Sequence, residues 1–306
     1  MMNCPECLHP GSRVALVATA RKVSPEEVQP AIALLQSWQL EPVVEESLYL
    51  SDNQMAGSDE QRAALLQRYI DDDSIDAILC ARGGYGTVRI VDKVDFSPLL
   101  RHPKWLIGYS DVTVLHSHLA RHCQMATLHA TMPLNIPADT AQWGSPAIES
   151  LRRALFEGTV DIEAPASPLN RQGHCHAPVV GGNLSVLYSL LGSTSDIDTD
   201  GKILFIEDLD EYLYHIDRMM QNLKRNGKLE RLKGLVVGAL SDMHDNAIPF
   251  GHTAEEIVRD TVRDYDYPVA FHLPVGHIGL DNRALLLGIP ATIDITDTHT
   301  HLSQSC

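Results

Sequence analysis

Up to residue 130 the chain alternates short, wholly apolar runs with stretches whose apolar residues recur every three or four positions. Few topologies accommodate that order. The run at 14–18 is continuous, as in a strand buried on both faces. Ser24-Pro25-Glu26-Glu27 reads as a capping box with proline at the first helical position, and Val28, Ile32, Leu35 and Trp38 stripe the helix it opens. Val43 and Val44 mark a second, weaker strand. Ser58 and Gln61 open another helix carrying Ala64, Leu65, Tyr69 and Ile70, and apolar runs at 77–81 and 105–107 supply the third and fourth strands. This alternation predicts a parallel sheet covered on both faces, with ligands bound beyond the carboxyl ends of its strands.

Two turns of unusual composition fall at those ends. After 105–107, Gly108 permits a sharp bend, and Val112, Leu115 and Leu119 then recur at helical spacing. Ser110 therefore stands between strand and helix, where a hydroxyl is lifted above the sheet edge and the following N–H groups can stabilise an oxyanion. Gly108 matches the first glycine of the G-x-S-x-G pattern, whereas Val112 occupies the place of the second. Ser110 as a simple helix N-cap is the competing reading, and this stretch alone leaves both open. In the other turn, Arg82-Gly83-Gly84-Tyr85-Gly86, the glycines let a backbone approach a ligand closely. It meets neither the G-x-G-x-x-G nor the Walker pattern. A phosphate cradle, a plain tight turn, and an oxyanion N–H from Gly84 paired with that of Asp111 are the readings it allows.

Length and charge narrow the classes. A chain of 306 residues has room for two domains. Its 24 basic against 40 acidic residues leave a net charge of −16, which argues against a nucleic-acid backbone or an anionic membrane as the main partner. No run approaches the ~20 apolar residues that cross a bilayer. The N-terminus lacks a cationic segment followed by an apolar stretch, so a cytoplasmic location is the default expectation. Six cysteines, at 4, 7, 80, 123, 175 and 306, show no disulfide-framework spacing. Cys4 and Cys7 form a C-x-x-C without the second pair a zinc ribbon requires, and their segment reads as a disordered tail. In His174-Cys175-His176 neighbouring strand side chains face opposite ways, so at most the two histidines share an ion. No metal or other cofactor is expected.

The segment 141–177, rich in Pro, Gly, Ser and His, reads as a passage between an N-terminal domain over 11–140 and a C-terminal one over 178–306. In the latter, strands are expected at 203–206, 235–240, 284–287 and 291–295, with helices after 184, over 216–223 and from Thr253 through 262. Glu207 and Asp208 close the strand at 203–206, and a carboxylate at a strand terminus is well placed to orient a histidine. Asp208 and Asp210 read as caps of the next helix. Among fifteen histidines, His277 stands out in the loop Gly276-His277-Ile278-Gly279. His116 and His118, two apart on a helix, face different sides, and His129 reads as a packed residue.

Taken together, Arg82-Gly83-Gly84-Tyr85-Gly86, Gly108-Tyr109-Ser110-Asp111, Gly181-Gly182-Asn183-Leu184, Glu207-Asp208 and Gly276-His277 form an ordered series that resembles the LD-carboxypeptidases. That serine peptidase family also includes the microcin-immunity peptidases, and the likeness runs from about residue 11 to residue 295. It implies an α/β fold: an N-terminal parallel-sheet domain, flavodoxin- or glutamine-amidotransferase-like, carrying the serine, and a distinct mixed α+β C-terminal domain carrying the acid and base. It implies Ser110 as nucleophile, Glu207 as orienting acid, His277 as general base, and Gly84 and Asp111 as oxyanion N–H donors. The implied activity is release of terminal D-alanine from muropeptide tetrapeptides in cytoplasmic peptidoglycan recycling, by a cofactor-free homodimer. A carboxypeptidase must also hold a terminal carboxylate. Arg82, before the glycine turn, is the candidate, with Asn183 as a further substrate contact. A triad drawn from both domains places the cleft between them, where domain movement gates it.

Two alternatives remain. One is the immunity branch of the same family, cleaving aminoacyl- or peptidyl-nucleotide amides with the same triad. The other, from a different class, is a nucleotide-binding module that uses the glycine turn for phosphate and forms no covalent serine adduct.

Overall fold

The computed structural model describes residues 2–306. β1 (Arg13–Val17) leads through α1 (Pro25–Ser37) to β2 (Glu41–Val43), and α2 (Asp59–Asp71) leads to β3 (Ala77–Cys80). After a connection of short 3₁₀ turns, β4 (Trp105–Gly108) passes through α3 (Thr113–His122) to β5 (Thr127–His129). These strands lie in the order β2-β1-β3-β4-β5, all parallel. That is the flavodoxin-like order, in which the winding reverses between β1 and β3 and leaves a crevice at their carboxyl ends.

The strand alternation explains the two layers of helices. Leu16, Leu79 and Ile107 enter one apolar cluster, while Ala15, Val17, Ile78 and Leu106 enter another on the opposite face. Both expected capping boxes form: Ser24 accepts from the Glu27 N–H at the start of α1, and Ser58 accepts from the Gln61 N–H at the start of α2. Each such cap is worth about 1 kcal/mol.

The chain continues through α4 (Pro146–Glu157), β6 (Thr159–Pro165), β7 (Gly173–Asn183), α5 (Leu184–Leu190), β8 (Ile203–Leu209), α6 (Leu213–Arg225), β9 (Gly234–Ser241), α7 (Ala254–Thr261), β10 (Val269–Ala270), β11 (Leu285–Leu287), β12 (Pro290–Ile295) and β13 (His299–Ser305). A second sheet runs β10-β9-β8-β7-β12-β13-β6, parallel from β10 to β7 and antiparallel beyond. β7 serves both parts: its first half pairs with β12 and its second half with β8. No helix among the described residues is long and apolar enough to cross a membrane.

Four features depart from the expectations. The stretch 141–177 is more than a passage, because β6 and the start of β7 belong to the second sheet. β6 is an edge strand whose exposed Asp161, Glu163 and Pro165 alternate with buried Val160, Ile162 and Ala164, and half of it therefore has a linker's polarity. The late strands part company: β11 joins the first sheet, antiparallel to β5 with Leu285 opposite His129, while β12 stays in the second. β13 was not expected, since only Thr300, Leu302 and Gln304 of its residues are buried.

The N-terminal segment is ordered rather than a disordered tail. Cys4 is disulfide-bonded to Cys306, 302 residues away. The Asn3 N–H donates to the Gln124 carbonyl (2.7 Å), the Trp105 indole donates to the Glu6 carbonyl (2.9 Å), and Leu8 is buried. Neither the C-x-x-C spacing nor local hydrophobicity signals these bonds, whose partners lie about a hundred residues or more away.

Candidate active site

β4 delivers Ser110 to the carboxyl edge of the first sheet. Ser110 has φ +64°, the left-handed region that a side chain rarely adopts and that marks a strained strand-to-helix elbow. It is the first residue of a 3₁₀ turn whose N-cap position Tyr109 fills, so the N-cap reading falls away. A Cβ at Gly108 would lie 2.9 Å from Val112 Cγ2 and 3.2 Å from Cys80 Cβ. Val112, standing where the pattern has its second glycine, thus folds back beneath the first.

The loop after β3 lies directly on Ser110. A Cβ at Gly83 would sit 3.0 Å from Ser110 Oγ and 3.5 Å from the Asp111 nitrogen, so only glycine permits this approach. The Asp111 carboxylate turns inward, where Oδ2 accepts from the Thr87 N–H (2.9 Å). Burial raises the pKa of this carboxyl, against the lowering effect of that bond. The Thr19 and Thr87 hydroxyls are bonded to each other (2.8 Å), and the buried Arg62 guanidinium donates to the carbonyls of Thr19 and Gly86 while pairing with Asp59. This network fixes the loops after β1, β3 and β4 against one another. Sequence reasoning missed Thr19, Arg62 and Thr87. Arg62 sits in a helix after an ordinary capping box, and nothing local distinguishes it from a surface arginine.

From the second sheet, Glu207 near the carboxyl end of β8 is fully buried, and the loop after β10 brings His277 to it: the imidazole Nδ1 and Glu207 Oε2 are 2.6 Å apart. Gly276 has φ +114°, and a Cβ there would lie 2.7 Å from Glu207 Oε2, so the glycine makes room for the carboxylate. The Gly276 N–H donates to Asn282 Oδ1 (2.8 Å) and the Ser241 hydroxyl to the His277 carbonyl (2.8 Å), which hold the loop on both sides. Burial alone works against a charged imidazole. The bond to Glu207, with the charges of Glu207 and Asp208, outweighs it and raises the His277 pKa above 6.5.

Tyr109, immediately before Ser110, packs its ring 4.7 Å from the centroid of the His277 ring and bonds through its hydroxyl to Asn135 (3.0 Å). The elbow and the histidine loop therefore meet. No hydrogen bond joins Ser110 Oγ to the imidazole among the described residues, a bond that in hydrolases often tightens only around substrate.

Other expected residues are occupied elsewhere. The Arg82 guanidinium reaches the Lys22 carbonyl (3.2 Å) and Glu27 (3.7 Å), beside the start of α1. Asn183 is the N-cap of α5: Oδ1 accepts from the Val186 N–H and the Ser185 hydroxyl, and Nδ2 donates to Asp208 Oδ1 (2.9 Å). Its own N–H donates to Thr113 Oγ1 (3.0 Å), tying β7 to α3. Both side chains thus have partners within the protein. Asp208 also accepts from the N–H groups of Ser185, in the first turn of α5, and of Leu209, rather than capping the helix that follows, whose N-cap Tyr212 has no side-chain capping bond, and burial with the Glu207 charge pushes its pKa up to about 7. Gly84 is exposed at φ +108° in the loop over Ser110.

His116 and His118 point to different partners, Thr127 with the Gly108 carbonyl and Ser195 respectively. His129 is packed between Tyr109 and Phe205. His174 and His176 bond to Asp294 and Thr292, and no group of three or more metal-ligating side chains occurs among the described residues.

Comparison with known proteins identifies the family. Residues 14–130 match the family model described as LD-carboxypeptidase N-terminal domain, and residues 176–293 match LD-carboxypeptidase C-terminal domain. The chain is 35% identical over 281 residues to a probable murein peptide carboxypeptidase of Bacillus subtilis, covering 89% of this chain and 86% of that one. It superposes with TM-score 0.87 and 24% identity on muramoyltetrapeptide carboxypeptidase from Oxalobacter formigenes, covering 96% and 99% of the two chains. It superposes on MccF in complex with glutamyl sulfamoyl guanosine with TM-score 0.85 and 18% identity, covering 100% and 98%. The two superpositions show a shared fold.

Proposed function

The chain is a member of the LD-carboxypeptidase family, and from that premise we propose that it releases the terminal D-alanine from muropeptide tetrapeptides during cytoplasmic peptidoglycan recycling. Ser110, His277 and Glu207 form the triad in this reading. The observation that carries it is the 2.6 Å bond from His277 to a buried Glu207, with the imidazole packed on the residue before the elbow serine.

His277 takes the Ser110 proton as the hydroxyl attacks the scissile carbonyl, then gives it to the departing amine of D-alanine. Glu207 fixes the tautomer that leaves Nε2 free to act as base and stabilises the imidazolium. The Asp111 and Gly84 N–H groups receive the oxyanion, each worth on the order of 3 kcal/mol of barrier. Water then resolves the acyl-enzyme, and no cofactor enters any step. A homodimer belongs to this reading.

The test is incubation of the purified protein with disaccharide-tetrapeptide, reading the loss of one D-alanine by mass spectrometry. An aminoacyl sulfamoyl nucleotide serves as the competing substrate. A serine-directed phosphonate should add its mass at Ser110. Ser110→Ala and His277→Ala should each abolish turnover while leaving the thermal melt in place. Full activity in either variant ends the proposal, and preferential cleavage of the nucleotide amide transfers the chain to the immunity branch.

A further inference from the structure

With Arg82 turned toward Lys22 and Glu27, the terminal carboxylate of a substrate needs another cation, and the crevice between β1 and β3 holds one. Arg21 follows β1. Its side chain lies across Gly84: a Cβ on that glycine would meet Arg21 Cδ at 2.7 Å, Nε at 2.8 Å and Cγ at 3.0 Å. Gly84 is joined to Gly83, whose own Cβ position is 3.0 Å from Ser110 Oγ. The arginine thus rests on the same two-glycine turn that rests on the nucleophile.

Consecutive Cα atoms are about 3.8 Å apart, and in a carboxypeptidase substrate the carboxylate carbon is three bonds, within about 4 Å, from the scissile carbonyl carbon. A cation one residue along the turn from the serine contact is at the matching reach.

Charge supports the same residue. Near the elbow, Arg62 and Arg89 are both paired with Asp59, and Arg82 is beside Glu27. Arg21 is exposed and has no carboxylate partner among the described residues. An acidic chain offers an anionic substrate few attractive points, and an unpaired guanidinium over the glycine turn is one of them. The backbone of Arg21 is held by its bridge to Met55 and by the Ala56 N–H donating to the Ala20 carbonyl (3.1 Å), which makes the stem a fixed mount. The site also falls where the winding of the first sheet reverses, the place at which parallel sheets of this order bind ligands.

We propose that Arg21, laid over Gly84 at the carboxyl end of β1, binds the free terminal carboxylate of the substrate and so makes the site an exopeptidase site. This assignment rests on the carboxypeptidase reading above. Arginine suits the task because its planar fork grips both carboxylate oxygens, and the pair forms equally in ground and transition states, so its loss falls on KM.

The test is steady-state kinetics of the wild type, R21M and R21K on a tetrapeptide ending in D-alanine and on the same peptide ending in D-alaninamide. The wild type should prefer the acid. R21M should raise KM for the acid on the order of tenfold to a hundredfold with little change in kcat, and the preference for acid over amide should collapse by the same factor. R21K should recover part of it, as a point charge does. A wild type that cleaves both peptides equally, or an R21M that keeps the wild-type preference, overturns the assignment and leaves the carboxypeptidase reading intact. A wild type that cleaves neither peptide overturns both.

Discussion

His277 Nδ1 meets Glu207 Oε2 at 2.6 Å although the two residues are 70 positions apart and come from different strand ends of the second sheet. The carboxylate has no solvent exposure, and its other oxygen, Oε1, has no hydrogen-bond partner among the described residues. A buried charge with one partner is strongly coupled to that partner. The imidazole's titration therefore reports on Glu207.

Because the bond and charge of Glu207 raise the His277 pKa against burial, the free base appears only as pH rises through a value above 6.5. The acid limb of kcat/KM is expected there. Glu207→Gln removes the raising contributions of that carboxylate, leaving only the Asp208 charge against burial, and should move that limb downward while lowering kcat on the order of a thousandfold or more. A pH–rate profile of both proteins checks the direction.

Gly83→Ala would place a methyl group 2.9 Å from Ser110 Cβ and 3.0 Å from Oγ. The serine must move, and a displacement of about 1 Å costs roughly a hundredfold in rate. Rate measurement and a thermal melt should show kcat lost with the fold retained.

His116 and His129 are fully buried and burial depresses both, His116 to about 4 and His129 well below its ordinary value. For each, the unfolded chain takes up a proton as pH falls through about 6.5 while the folded chain does not. Stability is therefore complete above that pH and falls below it, by about 1 kcal/mol per pH unit for each group. Urea unfolding between pH 7.5 and 5 should show the slope. His129→Phe, which removes two buried ring nitrogens without partners, should make it shallower.

The Cys4–Cys306 disulfide closes a loop of 302 residues. Its effect on the unfolded chain's entropy stabilises the native state by up to about 5 kcal/mol. Reduction, or Cys306→Ser, should lower the urea midpoint accordingly. An unchanged midpoint would show that Leu8 and the bond from Trp105 to Glu6 hold the segment unaided.

Residues whose role is set by their neighbours in sequence were legible. The capping boxes at Ser24 and Ser58, the apolar strand runs and the glycine before Ser110 all act within a few positions, so their chemistry can be read locally. The catalytic candidates emerged because each lies at or beyond the carboxyl end of an apolar strand run. Arg82 and Asn183 show the converse. Their types suit substrate binding, but Lys22, Glu27 and Asp208, brought in by folding, already engage them. Arg21 carried no signal, since its importance comes from the missing side chain of Gly84, 63 positions along the chain. The order of the first ten residues depends on Cys306 and Gln124, equally remote.

β11 places a short piece of the C-terminal half on the open edge of the first sheet, with Leu285, Leu286 and Leu287 opposite His129, Leu128 and Thr127. Only eight positions earlier the chain carries His277. A gene split after residue 177 would therefore yield two incomplete products: one with an unmated strand at its rim, the other with an orphan leucine triplet and a His277 parted from Ser110. Inheritance, recombination and laboratory dissection must treat the polypeptide as one indivisible unit, however clearly two sheets can be drawn.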